Sequence, residues 1–378
     1  MAVHAGDAKG LTFECKPGCG FCCTASPLVA PHEKARLPMA VRAPDGNLRI
    51  PLADVHCSAL AGDRRCGIYD ARPAVCHLYP YAVHAGRRVQ VTVSLACPGI
   101  GVAPPHGADS DGTLAHPFGV ANAMEVQAQQ AAELALAQPG AQEEAARAKA
   151  TFAEFDRRMK EWQVAAPPDK LRAAFLPHVA TLAMPAALPA FFAGIAEGDL
   201  VLQGDAARAV GSLFETEAEA DLHDLFVEGA KDALDEPDTV IWVEPDLSWT
   251  TARAEGERVK LTRIANGARS SRTHALDALP ADWEPAASEV VAAYLARLLH
   301  RDHAEGAAAW LVDASGYQAT PAAAYARVLG EASLQVALRA ALLAADEGRE
   351  SVDATHAHRG VMAYETAFHS LPTLGAIL

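Results

Sequence analysis

Cysteine is absent from the entire chain after Cys97. All eight cysteines of the 378 residues lie in the first quarter, so any thiol chemistry belongs to the N-terminal part. Other absences narrow the reading. The opening stretch MAVHAGDAKGLTFEC has neither a basic n-region nor an apolar h-region. No secretory leader is expected, and a cytoplasmic location is. No run of eighteen or more apolar residues occurs. The nearest, TLAMPAALPAFFAGIA (181–196), is too short and carries two prolines, which argues against a membrane span. Basic residues are in deficit: the net charge of −15 excludes binding driven by neutralising nucleic-acid phosphates. Glycines stand singly and never as G-x-G-x-x-G or G-x-x-x-x-G-K-[S/T], so no nucleotide-binding loop is expected. There is no internal repeat and no low-complexity tail. What remains is a chain that is half apolar, with enough sequence for a large core and no need of disulfides to stay folded.

Against this background the cysteines are concentrated. FECKPGCGFCC (13–23) holds Cys15, Cys19, Cys22 and Cys23; the other four are Cys57, Cys66, Cys76 and Cys97. The spacing is C-x3-C-x2-C-C, then C-x8-C-x9-C-x20-C. Eight cysteines would allow four disulfides, but a reducing cytosol disfavours them. Short C-x2-C and C-x3-C spacings on a glycine-rich loop suit thiolate ligation of a soft metal. Gly18 and Gly20 permit tight turns with positive φ, Pro17 stiffens the approach, and loop N–H groups can point at the sulfurs. The adjacent Cys22–Cys23 pair must serve different metal atoms or sit in a sharp turn, because neighbouring side chains in extended backbone point to opposite faces. A mononuclear zinc needs only four ligands. Eight donors therefore imply two four-ligand sites, or one multinuclear cluster with spare cysteines.

The second half of the array contains CGIYDARPAVCHLYP and ends in Cys97-Pro98-Gly99. Cys15, Cys19, Cys22, Cys23 and Cys57, then Cys66 with Ile68-Tyr69, Arg72-Pro73, Cys76 and Tyr79-Pro80, resemble the YkgJ-type cysteine-cluster family of zinc- or iron-chelating domains. The likeness spans roughly residues 10–105. It departs from the family at His77, where arginine is more usual. The resemblance implies that all eight cysteines are candidate metal ligands. Arg72-Pro73 breaks any helix and sets Cys76 on a defined turn. Arg72 is placed to donate to carbonyls or to Asp70, or to offset thiolate charge. RRVQVTVSL (87–95) alternates and reads as a strand.

Residues 100–118 read as a linker, followed by helices over 119–137 and 141–163, mixed helical segments over 169–198, and another helix over 205–234. DTVIWVEPDLSWTTARAEGERVKLTRIANG (238–267) reads as three short antiparallel strands. Long alanine- and leucine-rich helices follow over 284–312 and 319–346, with a last one over roughly 352–370. HRDH (300–303) lacks the asparagine that a kinase catalytic loop needs, since position 307 is alanine, and reads as a polar helix end. His356, His358, Glu365 and His369 offer a second metal site by composition, although surface helix histidines are commoner.

The expected fold is α+β, mainly α. A loop-rich cysteine-cluster metal-binding module (1–105) precedes a mainly helical region (106–378) with a β-meander near 238–267. The expected function is metal binding through an iron–sulfur cluster, with 4Fe–4S favoured and zinc the alternative. No catalytic residue is named. The runner-up follows from a similarity to flagellin lysine N-methylases, which pair such a cluster with a helical region: an S-adenosylmethionine-dependent protein lysine N-methyltransferase. A protein partner or substrate of unknown identity is expected, with no nucleic acid and no membrane.

Overall fold

The computed structural model describes residues 3–4, 8, 11–13, 19–24, 26–44, 46–53, 56–102, 124–161, 168–184, 239–243, 247–265, 268–314 and 321–370. Cys15, most of the linker and the helix expected over 205–234 lie outside the described residues, as do residues 185–198. The fold is α+β, with small sheets first and helices after. By contacts the chain forms two compact units. The first comprises residues 1–146 with 243–250 and 262–270; the second holds 147–242, 251–261 and 271–378.

The first unit has two small cores. In one, the strands Tyr81–Ala85 and Val89–Val93 form an antiparallel hairpin, with Tyr81 opposite Val93, and Val3–His4 adds in parallel. Alternation puts Val91 and Val93 on one face, where they meet Met124, Ala128, Ala131 and Ala132 of the helix Met124–Leu136. Tyr81 donates to Gln127 of that helix at 2.7 Å, which satisfies both buried groups. The strand expected over 87–95 is thus present, with a partner strand that the sequence reading did not include. The other core gathers Val29, Leu37, Ala40 and Ile50 around Cys23 and Cys57. Leu11–Phe13 pairs with Ile100–Val102, Phe13 opposite Ile100. This pairing clamps the chain just before the cysteine array to the chain just after it.

The meander has four strands where three were expected. Thr239–Val243, Trp249–Glu255, Arg258–Ala265 and Ala268–Ala275 follow one another in spatial order. The fourth, ARSSRTHA, was missed because it has no apolar alternation, and its first six residues are exposed.

In the second unit the helix Pro321–Asp346 is the centre, packed by Pro285–Leu298, Asp302–Ala314 and Ala354–Ser370. Ala324–Asp346 is long and apolar enough to cross a bilayer, yet 72% of its most apolar window is buried by the protein itself. The helix expected over 284–312 is in fact two. It breaks at Leu299–Arg301, so HRDH lies between two helix ends, with His300 exposed and Arg301 buried. Arg301 turns inward and donates to Glu365 at 2.6 Å, both side chains being 0% exposed. Tyr294 donates to the same carboxylate oxygen at 2.8 Å. The break lets a buried cation reach a buried anion, and neither is tolerable alone.

Alanine-rich surfaces allow close helix crossing in this unit. Where Ala354–Ser370 meets Pro321–Asp346, a Cβ on Gly360 would stand 2.7 Å from the Val336 carbonyl oxygen and 3.1 Å from Ala340 Cβ. Gly360→Ala gains about 1 kcal/mol of helix propensity but overpacks against backbone, at a cost of about 1–3 kcal/mol. A net loss of stability is expected, read as a lower urea midpoint of the helical circular dichroism signal. A raised midpoint would contradict the close crossing.

Candidate metal centre

The cysteines sit on short elements whose ends are set by local geometry. Gly20 has φ +64° and opens the 3-10 turn Phe21–Cys23; a side chain there would be strained and would also press on Leu247 at 3.1 Å. The Cys23 amide donates to the Gly20 carbonyl at 2.9 Å, and Thr24 Oγ1 donates to the Phe21 carbonyl at 2.8 Å. The adjacent pair therefore lies in a sharp turn, one of the two arrangements the sequence allowed. Cys23 faces the apolar core and Cys22 is exposed. Cys57 ends the hairpin Leu52–Ala53/His56–Cys57, and Cys66 bridges Leu60. Cys76 lies on the helix Ala74–Leu78, and Cys97 follows a turn closed by its own amide on the Ser94 carbonyl at 3.1 Å.

The helix bearing Cys76 has an anchor that sequence reasoning missed. Glu33 is 3% exposed and accepts from the amides of Ala74 and Ala30, both at 3.0 Å, while Arg36 donates to it as well. A carboxylate at the first-turn amide of a helix satisfies an orphan donor and favours the helix dipole. Burial raises the Glu33 carboxyl, but the two amides and Arg36 outweigh it and hold the group below its usual value. No local pattern announces this, because Ala30 has no side chain to complete a capping box and Ala74 lies forty-one residues beyond Glu33.

None of the seven described cysteines is in a disulfide, and Cys22, Cys23, Cys57, Cys76 and Cys97 each sense another. Cys22 is the hub. The Cys23 thiol donates to its sulfur and, against burial, lowers it below the ordinary thiol value; Arg72 adds to this. Cys23 rises correspondingly, first through that hydrogen bond and then through burial. Burial raises Cys57, opposed by the amide of Ala59. Burial and the neighbouring Cys22, Cys57 and Cys66 push Cys76 up to about 12, with Arg72 opposing. Burial likewise pushes Cys97 up to about 12, against the Gly99 amide and the Tyr79 hydroxyl. The amides of Ala59 and Gly99 thus donate to the sulfurs two residues before them, an arrangement that favours thiolate over thiol.

Arg72 is the cation of this neighbourhood. It stacks on Tyr69, Cζ 3.9 Å from the ring centroid, and its Nε donates to the Tyr69 carbonyl at 3.1 Å. Of the roles considered from the sequence, it takes the carbonyl and charge-offset ones. His77 is held neutral first by burial and then by Arg72 and Arg36.

Among the described residues, no three Cys, His, Asp or Glu side chains are already placed to hold one metal ion. The donor set fits a thiophilic metal: it is all sulfur, gathered in one unit, with amides and a guanidinium directed at it. The C-terminal set is not brought together. Nε2 of His356 faces Glu347 at 3.2 Å and Nδ1 faces Asp353 at 2.8 Å, His358 is exposed, and Glu365 is committed to Arg301. The His369 side chain lies outside the described residues.

Charge follows the same division. Residues 14–98 carry ten Lys and Arg against six Asp and Glu, in a chain whose net charge is −15. A local basic surplus suits a centre of anionic thiolates. The same residues, 14–98, match the family model CxxCxxCC, described as "Putative zinc- or iron-chelating domain". No curated protein and no solved structure matches the chain.

Removing the Glu33 anchor should loosen the Cys76 helix. Glu33→Ala leaves the Ala74 amide unsatisfied and costs about 1–3 kcal/mol. Because the folded carboxyl lies below its unfolded value, its contribution is complete above about pH 4.5 and fades as pH falls through the lower folded value. Hydrogen exchange over 69–80 should rise on acidification in the wild type, and already at pH 7 in Glu33→Ala. Equal protection in both proteins at pH 7 would remove the anchor role.

Proposed function

We propose that the first unit chelates a metal centre through cysteine thiolates, and that the centre is an iron–sulfur cluster of the 4Fe–4S type rather than zinc. The observation that carries the reading is the thiol neighbourhood itself. Cys22 interacts electrostatically with Cys23, Cys57, Cys76 and Cys97, and through them the neighbourhood extends to Cys66 and Cys19, with amide donors on Cys57 and Cys97 and the Arg72 charge acting on Cys22 and Cys76. The likeness of residues 14–98 to a zinc- or iron-chelating family supports the metal. The number of sulfur donors and the adjacent pair favour a cluster, since structural zinc is served by four ligands. The eight candidate ligands are Cys15, Cys19, Cys22, Cys23, Cys57, Cys66, Cys76 and Cys97. The protein acts in the reducing cytosol, where the thiols stay available. The bound group would supply electron transfer, Lewis acidity or structural closure; the residues supply sulfur donors and the charge that balances them.

Two measurements test this. Anaerobically purified protein should hold iron with acid-labile sulfide and absorb in the visible; a colourless protein with stoichiometric zinc would exchange the metal but keep the site. Cys22→Ser with Cys23→Ser should lose the metal, and His356→Ala should keep it. Metal-free protein with intact disulfides sinks the reading. Uptake should also depend on pH with a definite sign. Cys76 and Cys97 are protonated thiols at neutral pH and must release protons to bind, so apparent affinity should rise with pH across 6 to 8.

The two cores of the first unit should respond differently to chelation. The core of Val91, Val93 and Met124 contains no cysteine, whereas the other includes Cys23 and Cys57. Hydrogen exchange after metal removal should therefore increase over 19–78 and stay low over 81–93 and 124–136. Uniform loss across both would show that one metal-dependent unit had been misread as two cores.

A further inference from the structure

Several buried donors in the first unit have no formed hydrogen bond, and two of them stand on either side of Cys76. Arg72 Nη2 and Tyr79 Oη are both shielded from solvent without a formed hydrogen bond. They flank the five-residue helix that carries Cys76, Arg72 through Pro73 on one side and Tyr79 directly on the other. An unsatisfied buried donor costs about 1–3 kcal/mol, more when charged. Two within eight residues are a sizeable part of a domain's net stability. Such a cost persists where the groups have work to do.

Arg72 cannot easily swing away. Its ring stacking and its Nε bond to the Tyr69 carbonyl fix the guanidinium plane, leaving Nη2 directed inward. Its charge reaches the sulfurs of Cys22 and Cys76, and His77 as well. Tyr79 Oη stands beside the Cys97 sulfur and interacts with it, and it senses Cys22 and Cys19 as well. A neutral thiol is a weak acceptor; a thiolate is a strong one. Cysteine sulfur bound to a metal, being anionic, would supply such acceptors.

We infer that Arg72 and Tyr79 are positioning residues of the thiolate centre, donating from Nη2 and Oη to its sulfurs and offsetting their charge. This rests on the metal-chelating reading above. It adds that the two residues set how tightly thiolate sulfur is held and how electron-rich it is. Neither need be a ligand. Each donor withdraws charge from sulfur, so its removal should make the sulfurs more electron-rich and the loaded state harder to form.

The test uses cobalt(II) as the probe metal on the full chain, titrated anaerobically. Wild type, Tyr79→Phe, Arg72→Lys and Arg72→Gln are compared by their sulfur-to-cobalt charge-transfer bands and by competition with a chelator. The expected result is equal stoichiometry in all four. Tyr79→Phe and Arg72→Gln should show bands at lower energy and affinity reduced about 10-fold or more. Arg72→Lys should fall between wild type and Arg72→Gln, because it keeps the charge but loses the fork. Far-ultraviolet circular dichroism checks folding, and Tyr79→Phe, which removes one oxygen alone, keeps the test decisive if the arginine variants fold poorly. Bands and affinities unchanged in Tyr79→Phe and Arg72→Gln would overturn this inference and leave the chelating reading standing. Absence of any thiolate band in the wild type would overturn both. Inorganic phosphate that binds the wild type and is lost in Arg72→Gln, with the cobalt band unmoved, would assign the donors to an exogenous anion and overturn it too.

Discussion

Sulfurs packed together in an apolar setting cannot all carry charge at once, and the first unit is organised around that constraint. Burial and mutual repulsion keep Cys76 and Cys97 protonated far above neutral pH. Against this the chain sets amides at Ala59 and Gly99, a guanidinium at Arg72, a phenol at Tyr79 and a local surplus of basic residues. Each favours the thiolate, and none alone overcomes desolvation. A multiply charged cation would. The geometry is that of a site whose ligands are held near one another and whose balance of charge is completed on binding.

The rest of the unit supports this balance without depending on it wholly. The clamp between Leu11–Phe13 and Ile100–Val102 closes the long cysteine-bearing loop through backbone hydrogen bonds. The hairpin and the helix Met124–Leu136 form a cysteine-free core beside it. Loop closure that backbone pairing already provides need not be provided by metal ligation. The thiols are therefore brought into one neighbourhood by the fold, through Glu33 at the Cys76 helix and Gly20 at the Cys22–Cys23 turn.

The second unit shows the opposite electrostatic solution. Its buried cation and anion, Arg301 and Glu365, neutralise each other directly and are joined by Tyr294. No external partner is needed, and the helices around them are free to pack on alanine and glycine at short range. Among the described residues, His356 and His358 make no metal site with Glu365, because that carboxylate is already committed to Arg301.

The sequence by itself determined the fold class, the confinement of the thiols to the first hundred residues and the helical character of the second half, and it allowed the tight turn at Gly20. These follow from composition, spacing and period, which are local properties. Only the tertiary structure decided that Glu33 caps the helix of Cys76, that Arg301 of HRDH turns inward to a buried carboxylate, that the meander has a fourth strand and that the Arg72 charge reaches the sulfurs of Cys22 and Cys76. Each of these depends on a partner that local pattern cannot specify: an amide forty-one residues away, a carboxylate sixty-four away, or a strand whose exposed face carries no apolar signal. Burial decides them, because a polar group removed from water must find its partner wherever the fold has placed it.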